Sequence, residues 1–199
     1  ETGDVRGVIQ LKKGRRLARD HAGVVVVIHK VPGDDHKPPA KPFEVEQRNK
    51  QFDPQVAAVV KGTTVSFPNE DRVFHNVFSV SRAARFDLGL YRAGATKKVE
   101  FDRAGVVDVY CNIHPEMAAK VFVLDSSYYA VTGPAGRFEI SGIPPGTYPV
   151  EVMQANGDGY EGQITVPAGG TAQLNLELET KRGQDDHLRK DGTPYGRYQ

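Results

Sequence analysis

The run Val106-Val107-Asp108-Val109-Tyr110-Cys111-Asn112-Ile113-His114-Pro115-Glu116-Met117, with Ala119 to Leu124 behind it, decides the reading of this chain. Val106 to Cys111 and Ala119 to Leu124 read as strands. Between them Cys111, His114 and Met117 stand at i, i+3 and i+6, a spacing that lets their side chains converge within one short turn. Cys111 is the only cysteine, so no intrachain disulfide accounts for it. A lone cysteine is most often a small buried hydrophobe; this one has soft and borderline donors at fixed offsets. His75, in Val73-Phe74-His75-Asn76-Val77-Phe78-Ser79, is the candidate fourth donor, brought in by a neighbouring strand.

A thiolate, two imidazoles and a weak thioether are the ligand set of a blue-copper electron-transfer site. Zinc also accepts thiolate and imidazole, but the methionine argues for copper as the native metal. The plain alternative for Met117 is core filling. Glu116 offers a hard oxygen, but beside Met117 it should point away. Around the ligands, the Asn76 side chain is expected to tie the His75 strand to the Cys111 loop. A nearby backbone N–H is expected to bond the Cys111 sulfur, and Pro115 to stiffen the loop; such contacts tune a metal site. His21, His29, His36 and His187 read as surface or satisfied histidines, Glu70-Asp71 as a turn that could steer a cationic partner, and Tyr128-Tyr129 as interdomain packing. No His-x-His pair suggests a second copper centre.

Outward from this motif the chain is turn-rich and β-like. It has 199 residues, with 21 glycines and 13 prolines, enough for one large domain or two small ones. Val5 to Leu11 and Gly23 to Val31 read as strands, the second carrying four consecutive valines as a strand buried on both faces would. Pro32 to Pro42 holds four prolines and a glycine in eleven residues and reads as a linker or boundary. Strands are expected at Phe43 to Arg48, Val56 to Val60, Thr63 to Phe67, Val73 to Ser81 and Lys97 to Phe101, which with the pair above suit an all-β sandwich. Arg82 to Thr96 reads as a long crossover connection. Further strands are expected at Tyr148 to Gln154, Gln163 to Val166 and Thr171 to Leu178. The flanking strands are too few on either side for an independent sheet pair. Residues 4–31 and 126–179 are therefore expected to form one split sandwich, with 38–125 inserted in a loop of it. The charged tail, 180–199, reads as disordered.

Lys+Arg (26) nearly balance Asp+Glu (25), which argues against a nucleic-acid binder. The longest apolar stretch, Val24 to Ile28, is far too short to span a bilayer. No secretory leader is visible, and the start at Glu1-Thr2-Gly3 reads as a processed or recombinant form. No Gly-x-Ser-x-Gly, phosphate-binding loop or His-Glu-x-x-His motif is present, so no enzyme activity is expected.

His75-Asn76-Val77 followed by Tyr110-Cys111-Asn112-Ile113-His114-Pro115-Glu116-Met117 resembles the cupredoxins, and the short Cys-x2-His-x2-Met loop is most like that of amicyanin. Gly62-Thr63-Thr64-Val65-Ser66-Phe67-Pro68-Asn69 and Phe101-Asp102-Arg103-Ala104-Gly105-Val106 are similar to the same family. The resemblance covers roughly 43–125. It implies a Greek-key β-sandwich with one type 1 copper ion. His75, Cys111 and His114 would be its equatorial ligands and Met117 the axial one. It also implies that the edge of His114 reaches an apolar patch, for which Pro115, Ala118 and Phe74 are candidates. Val5-Arg6-Gly7-Val8-Ile9, Gly23-Val24-Val25-Val26, Gly136-Arg137-Phe138 and Ile143-Pro144-Pro145-Gly146-Thr147-Tyr148 resemble a carboxypeptidase regulatory-like domain, an immunoglobulin- or transthyretin-like small sandwich. The combination is similar to plastocyanin-like, methylamine-utilisation-type proteins of the bacterial envelope.

The expected function is single-electron transfer through Cu(I)/Cu(II) with a redox protein partner, either a cytochrome or a copper- or quinoprotein enzyme. The location would be periplasmic or secreted. Two other readings stand beside it: a copper-binding or copper-tolerance protein without a dedicated partner, and a structural envelope module.

Overall fold

The computed structural model describes residues 1–181 and 187–195. The chain divides into two compact units, Glu1–His36 with Asp125–Gly183, and Lys37–Leu124 with Gln184–Gln199. The described residues contain strands and turns and no α-helix, so no helix is long and apolar enough to cross a membrane. The architecture is all-β, with two β-sandwiches.

The first unit opens with β1 (Gly3–Lys13), β2 (Arg16–Leu17) and β3 (Val25–Ile28). Alternation along β1 sends Val5, Ile9 and Leu11 inward. In β3 all four residues are buried, as a strand covered on both faces requires.

The second unit follows with β4 (Phe43–Glu44), β5 (Glu46–Arg48), β6 (Gln51–Asp53), β7 (Val56–Val60), β8 (Thr63–Pro68), β9 (His75–Val80), β10 (Arg85–Tyr91), β11 (Thr96–Phe101), β12 (Gly105–Cys111) and β13 (Ala118–Leu124). One sheet runs β10-β9-β12-β13-β7 and a second β11-β8-β4, with β5-β6 as a separate hairpin. Val65, Phe67 and Phe101 from one sheet share a core with Val77, Val107, Val109 and Val121 from the other.

The stretch 82–96, expected to be a crossover, instead contains β10, which pairs antiparallel with β9. Its register shifts between Asp87 and Leu90, where Gly89 takes φ +68°. A bulge breaks the two-residue period that would have marked the strand. Phe43 to Arg48, expected as one strand, is divided between β4 and β5, because the chain changes partner there: β4 pairs with β8 and β5 with β6.

The first unit closes with β14 (Tyr129–Val131), β15 (Arg137–Ile143), β16 (Gly146–Met153), β17 (Tyr160–Val166), β18 (Thr171–Gln173) and β19 (Leu176–Glu179). β1 lies between β15 on one edge and β18 and β19, both parallel to it, on the other. The facing sheet runs β14-β3-β16-β17. Val5, Ile9, Val24, Val26, Phe138, Ile140, Val150 and Val152 meet in the shared core, with Tyr128 packed against it.

Thr171 to Leu178 is not one strand. It breaks where the Leu174 amide donates to the Arg6 carbonyl at 2.9 Å and Asn175 Oδ1 accepts the Val8 amide, also at 2.9 Å. The crossing is close because residue 7 is glycine: a Cβ there would lie 1.8 Å from the Leu174 carbonyl oxygen.

Disorder is expected from Thr180, yet Thr180 and Lys181 donate backbone hydrogen bonds to Lys12 and Asn156. Residues 182–186 and 196–199 lie outside the described residues. The described residues 187–195 pack within the second unit through aromatic and polar groups, which a count of aliphatic residues does not register.

Candidate metal centre

The inward and outward alternation of β12 places the Cys111 side chain. Val107, Val109 and Cys111 are buried, while Asp108 and Tyr110 are partly exposed. The chain then turns sharply. The Met117 amide donates to the His114 carbonyl at 3.1 Å, and the Cys111 amide to the Met117 carbonyl at 3.3 Å. The first of these closes a four-residue turn with Pro115 in second place, where its fixed φ is already suitable. His75 opens β9, which pairs with β12 through Tyr110↔Phe78 and Cys111↔Val77. A strand pair and one proline turn thus bring His75, Cys111 and His114 to one place.

His75, Cys111 and His114 form the only described group of at least three His, Cys, Asp or Glu residues with donor atoms all within 4.8 Å of one another. His75 Nδ1 lies 3.1 Å from His114 Nδ1 and 3.8 Å from Cys111 Sγ, and His114 Nδ1 lies 3.5 Å from that sulfur. A point equidistant from these donors is about 2 Å from each, close to metal–imidazole and metal–thiolate bond lengths. The set therefore fits a metal ion. His75 and Cys111 are fully buried and His114 is half-buried. Met117 is fully buried in the same core cluster as Cys111, and Glu116 is exposed.

The surroundings of the donors differ from expectation in an informative way. The Asn76 side chain does not reach the Cys111 loop: its Nδ2 donates to Asp87 Oδ1 at 2.8 Å, and its buried Oδ1 has no protein partner among the described residues. The backbone of Asn76 makes the link instead. Its carbonyl accepts the Asn112 amide at 3.2 Å, and its own amide, with those of Ile113 and His114, bonds the Cys111 sulfur. The side-chain expectation missed because Asp87 lies on β10, the strand hidden by the bulge.

Asp71 is the residue that sequence reasoning missed. Its Oδ2 lies 2.7 Å from His75 Nε2, with the carboxylate side chain only 12% exposed. It also accepts the Asn49 amide at 2.6 Å and the Lys50 amide at 2.8 Å. These two residues form the turn of the β5-β6 hairpin, both at positive φ. Asp71 therefore faces inward, toward His75 and this turn, and does not project as a steering charge. Its position four residues before His75 was the only cue in the sequence.

The electrostatics follow from burial and these contacts. Burial pushes the Cys111 thiol above its ordinary value, against the lowering effect of the amides at its sulfur. Burial, then the neighbouring His75, holds the His114 imidazole below its ordinary value. Burial alone would raise the Asp71 carboxyl, but the Lys50 amide, the His75 ring and the Asn49 amide together hold it below the usual range.

Large apolar side chains are exposed beside the ligands: Val73 at 40%, Phe74 at 54% and Ile113 at 43%. Pro115 and Ala118 are only half-buried contributors. An open cleft of about 620 Å³ next to Val73 is lined by Arg48, Asn49, Lys50, Glu70, Asp71 and Arg72.

Residues 114–179 match the family described as the carboxypeptidase regulatory-like domain. No curated protein matches the chain. Among solved structures, the chain is similar to a purple cupredoxin from Nitrosopumilus maritimus, at 23% identity over 41% of this chain and 99% of that one, with a TM-score of 0.38. It is similar to a Cu-containing nitrite reductase from Thermus scotoductus, at 26% identity over 48% of this chain and 27% of that one, with a TM-score of 0.41. A reduced, singly substituted amicyanin is 22% identical over 50% of this chain and 98% of that one, with a TM-score of 0.39. Two likenesses therefore coexist in one chain: a carboxypeptidase regulatory-like match over residues 114–179, and a structural similarity to cupredoxins.

Proposed function

We propose that His75, Cys111, His114 and Met117 hold one type 1 copper ion, and that the chain passes single electrons between redox partners without being an enzyme itself. The observation that carries this reading is the closed triangle of His75 Nδ1, Cys111 Sγ and His114 Nδ1, with edges of 3.1, 3.5 and 3.8 Å. One sulfur and two imidazole nitrogens at that spacing, beside a buried methionine, suit copper better than the all-oxygen or four-thiolate ions.

Bound copper supplies a one-electron Cu(I)/Cu(II) couple. Cys111 gives up its proton to act as thiolate. His75 is oriented by Asp71, so its Nδ1 presents a lone pair to the site while Nε2–H donates to the carboxylate. The turn through Pro115 fixes His114 and Met117 relative to Cys111. Donors held this way need little movement between oxidation states, which is what fast electron exchange requires.

Phe74, Val73 and Ile113 support an apolar contact with a protein partner beside His114, such as a cytochrome or a copper- or quinoprotein enzyme. The thiolate–copper chemistry supports a periplasmic or secreted location.

The test is copper titration of the purified chain, followed by optical and EPR spectroscopy. An intense visible thiolate-to-Cu(II) band is expected, and Cys111→Ser should abolish it. A colourless Cu(II) form would overturn the reading.

A further inference from the structure

Residues 187–195 touch every segment that carries a candidate ligand. The Tyr195 hydroxyl donates to the Cys111 carbonyl at 2.7 Å. His187 Nε2 lies 3.3 Å from the His114 carbonyl, and its ring stacks on Tyr110 with centroids 4.3 Å apart and planes 19° off parallel. That ring also meets Phe78 edge-on at 6.0 Å and Tyr195 at 5.4 Å. The Lys190 amide donates to Asn112 Oδ1 at 2.9 Å. Its ammonium lies 2.6 Å from Asp87 Oδ2, and the other oxygen of Asp87 accepts Asn76 Nδ2. Arg189 sits over the Tyr195 ring at 5.1 Å.

These contacts are not spread over the sheet at large. They fall on the backbone of Cys111 and His114, on the side chain of Asn112 between them, and through Asp87 on the residue after His75. Tyr110 and Phe78, on the outer side of β12 and β9, form a cross-strand aromatic pair at 5.9 Å, and the His187 ring extends it. The Lys190 ammonium holds the Asp87 carboxyl down to about 2, so the ion pair persists across the neutral range.

We propose that residues 187–195 form a strap that positions the ligand loop from Cys111 to Met117, with Tyr195, His187 and Lys190 as its positioning residues. The Tyr195 hydroxyl on the Cys111 carbonyl, and His187 in the tautomer that carries its proton on Nε2 toward the His114 carbonyl, restrain the two peptide units whose side chains face the cluster, and the Asn112 contact restrains the stretch between them. The loop is thereby preorganised from the side opposite the donors. The proposal rests on the copper reading for its consequence, but not for its geometry.

The experiment uses the full chain and three variants, Tyr195→Phe, His187→Phe and the double variant Tyr195→Phe/His187→Ala. Tyr195→Phe removes one hydroxyl and keeps the ring. His187→Phe keeps the stack and removes the contact to His114. In the metal-free chain, the labelling rate of Cys111 by a small thiol reagent and the amide exchange of residues 112–117 are measured. Loss of both polar contacts together with the His187 stack predicts roughly a tenfold rise in both rates for the double variant, and a smaller rise for each single one. In the copper-loaded chain, the same variants are expected to move the visible band and the reduction potential, which a strap serving only overall stability would leave in place. Labelling and exchange at parental rates in the double variant, or a parental potential and spectrum, would overturn the proposal. Failure of the parent itself to bind copper would overturn the copper reading alone, since thiol labelling is read without metal.

Discussion

Asp71 Oδ2 lies 2.7 Å from His75 Nε2, on the side of the imidazole away from Cys111 and His114. The pair couples a fully buried candidate ligand to a carboxylate that is itself fixed by two backbone amides. Hydrogen bonding of this kind sets the tautomer of a ligating histidine and raises its basicity. A more basic imidazole favours the higher oxidation state.

Asp71→Asn is therefore expected to weaken Cu(II) binding by about tenfold, the lower end of the effect for such partners. If Cu(I) binding is unchanged, the reduction potential rises by about 60 mV, the one-electron equivalent of that factor. Voltammetry of parent and variant checks the sign. A downward shift would show that Asp71 does not act through His75.

Met117→Leu tests the thioether. Met117 is fully buried, so an apolar side chain of similar volume should cost less than about 1.5 kcal/mol of stability. The visible band is expected to survive, because it belongs to the Cys111 thiolate. The potential is expected to rise, because on the proposed reading a weak thioether donor would be lost. Loss of the band would reassign Met117 from cap to essential ligand.

Copper uptake should depend on pH with a definite sign. The folded-state thiol of Cys111 is raised by burial, so near neutrality it still holds its proton. The His114 imidazole is lowered and does not compete as a cation there. Binding must expel the thiol proton, so apparent affinity should climb about tenfold per pH unit while the thiol remains protonated. Competition titrations against a chelator at several pH values, together with proton release into weak buffer, measure this directly.

Much of this site was legible because its determinants are local. The offsets from Cys111 to His114 and Met117 become a single turn once Pro115 takes its second position, and the alternation of Val107, Val109 and Cys111 states which way the sulfur points. The all-β character was legible for the same reason, from short runs that keep a two-residue period. What stayed hidden depends on chain segments meeting from afar. Asp71 reads as a turn residue until the hairpin turn at Asn49 and Lys50 is seen to bind it. The bulge at Gly89 disguised β10, and with it the partner of Asn76. Residues 187–195 lack the aliphatic pattern of a packed element, because stacking and hydrogen bonds hold them in place.

The other unit offers a test independent of metal. Gly7→Ala would drive a Cβ to within 1.8 Å of the Leu174 carbonyl oxygen, a backbone atom that cannot swing aside. The crossing of β1 with the β18–β19 break must then open, at a cost of about 2–3 kcal/mol. Gly133→Ala, with nothing within 4 Å of its added Cβ, should stay within about 0.5 kcal/mol of the parent. Thermal unfolding of the two variants compares them on equal terms.

The partners of β1 also bear on synthesis. Apart from the two-residue β2, which pairs only with Lys12 and Lys13, its neighbours β15, β18 and β19 begin at Arg137, Thr171 and Leu176, so most of the strand must wait for more than a hundred further residues to leave the ribosome. Residues 37–124, contiguous in the chain, emerge completely during that wait. Nascent domains commonly fold as units in order of emergence. The metal-binding body can thus condense while most of the first strand is still unpaired beyond its short contact with β2, leaving that exposed edge as the segment a chaperone would have to shield.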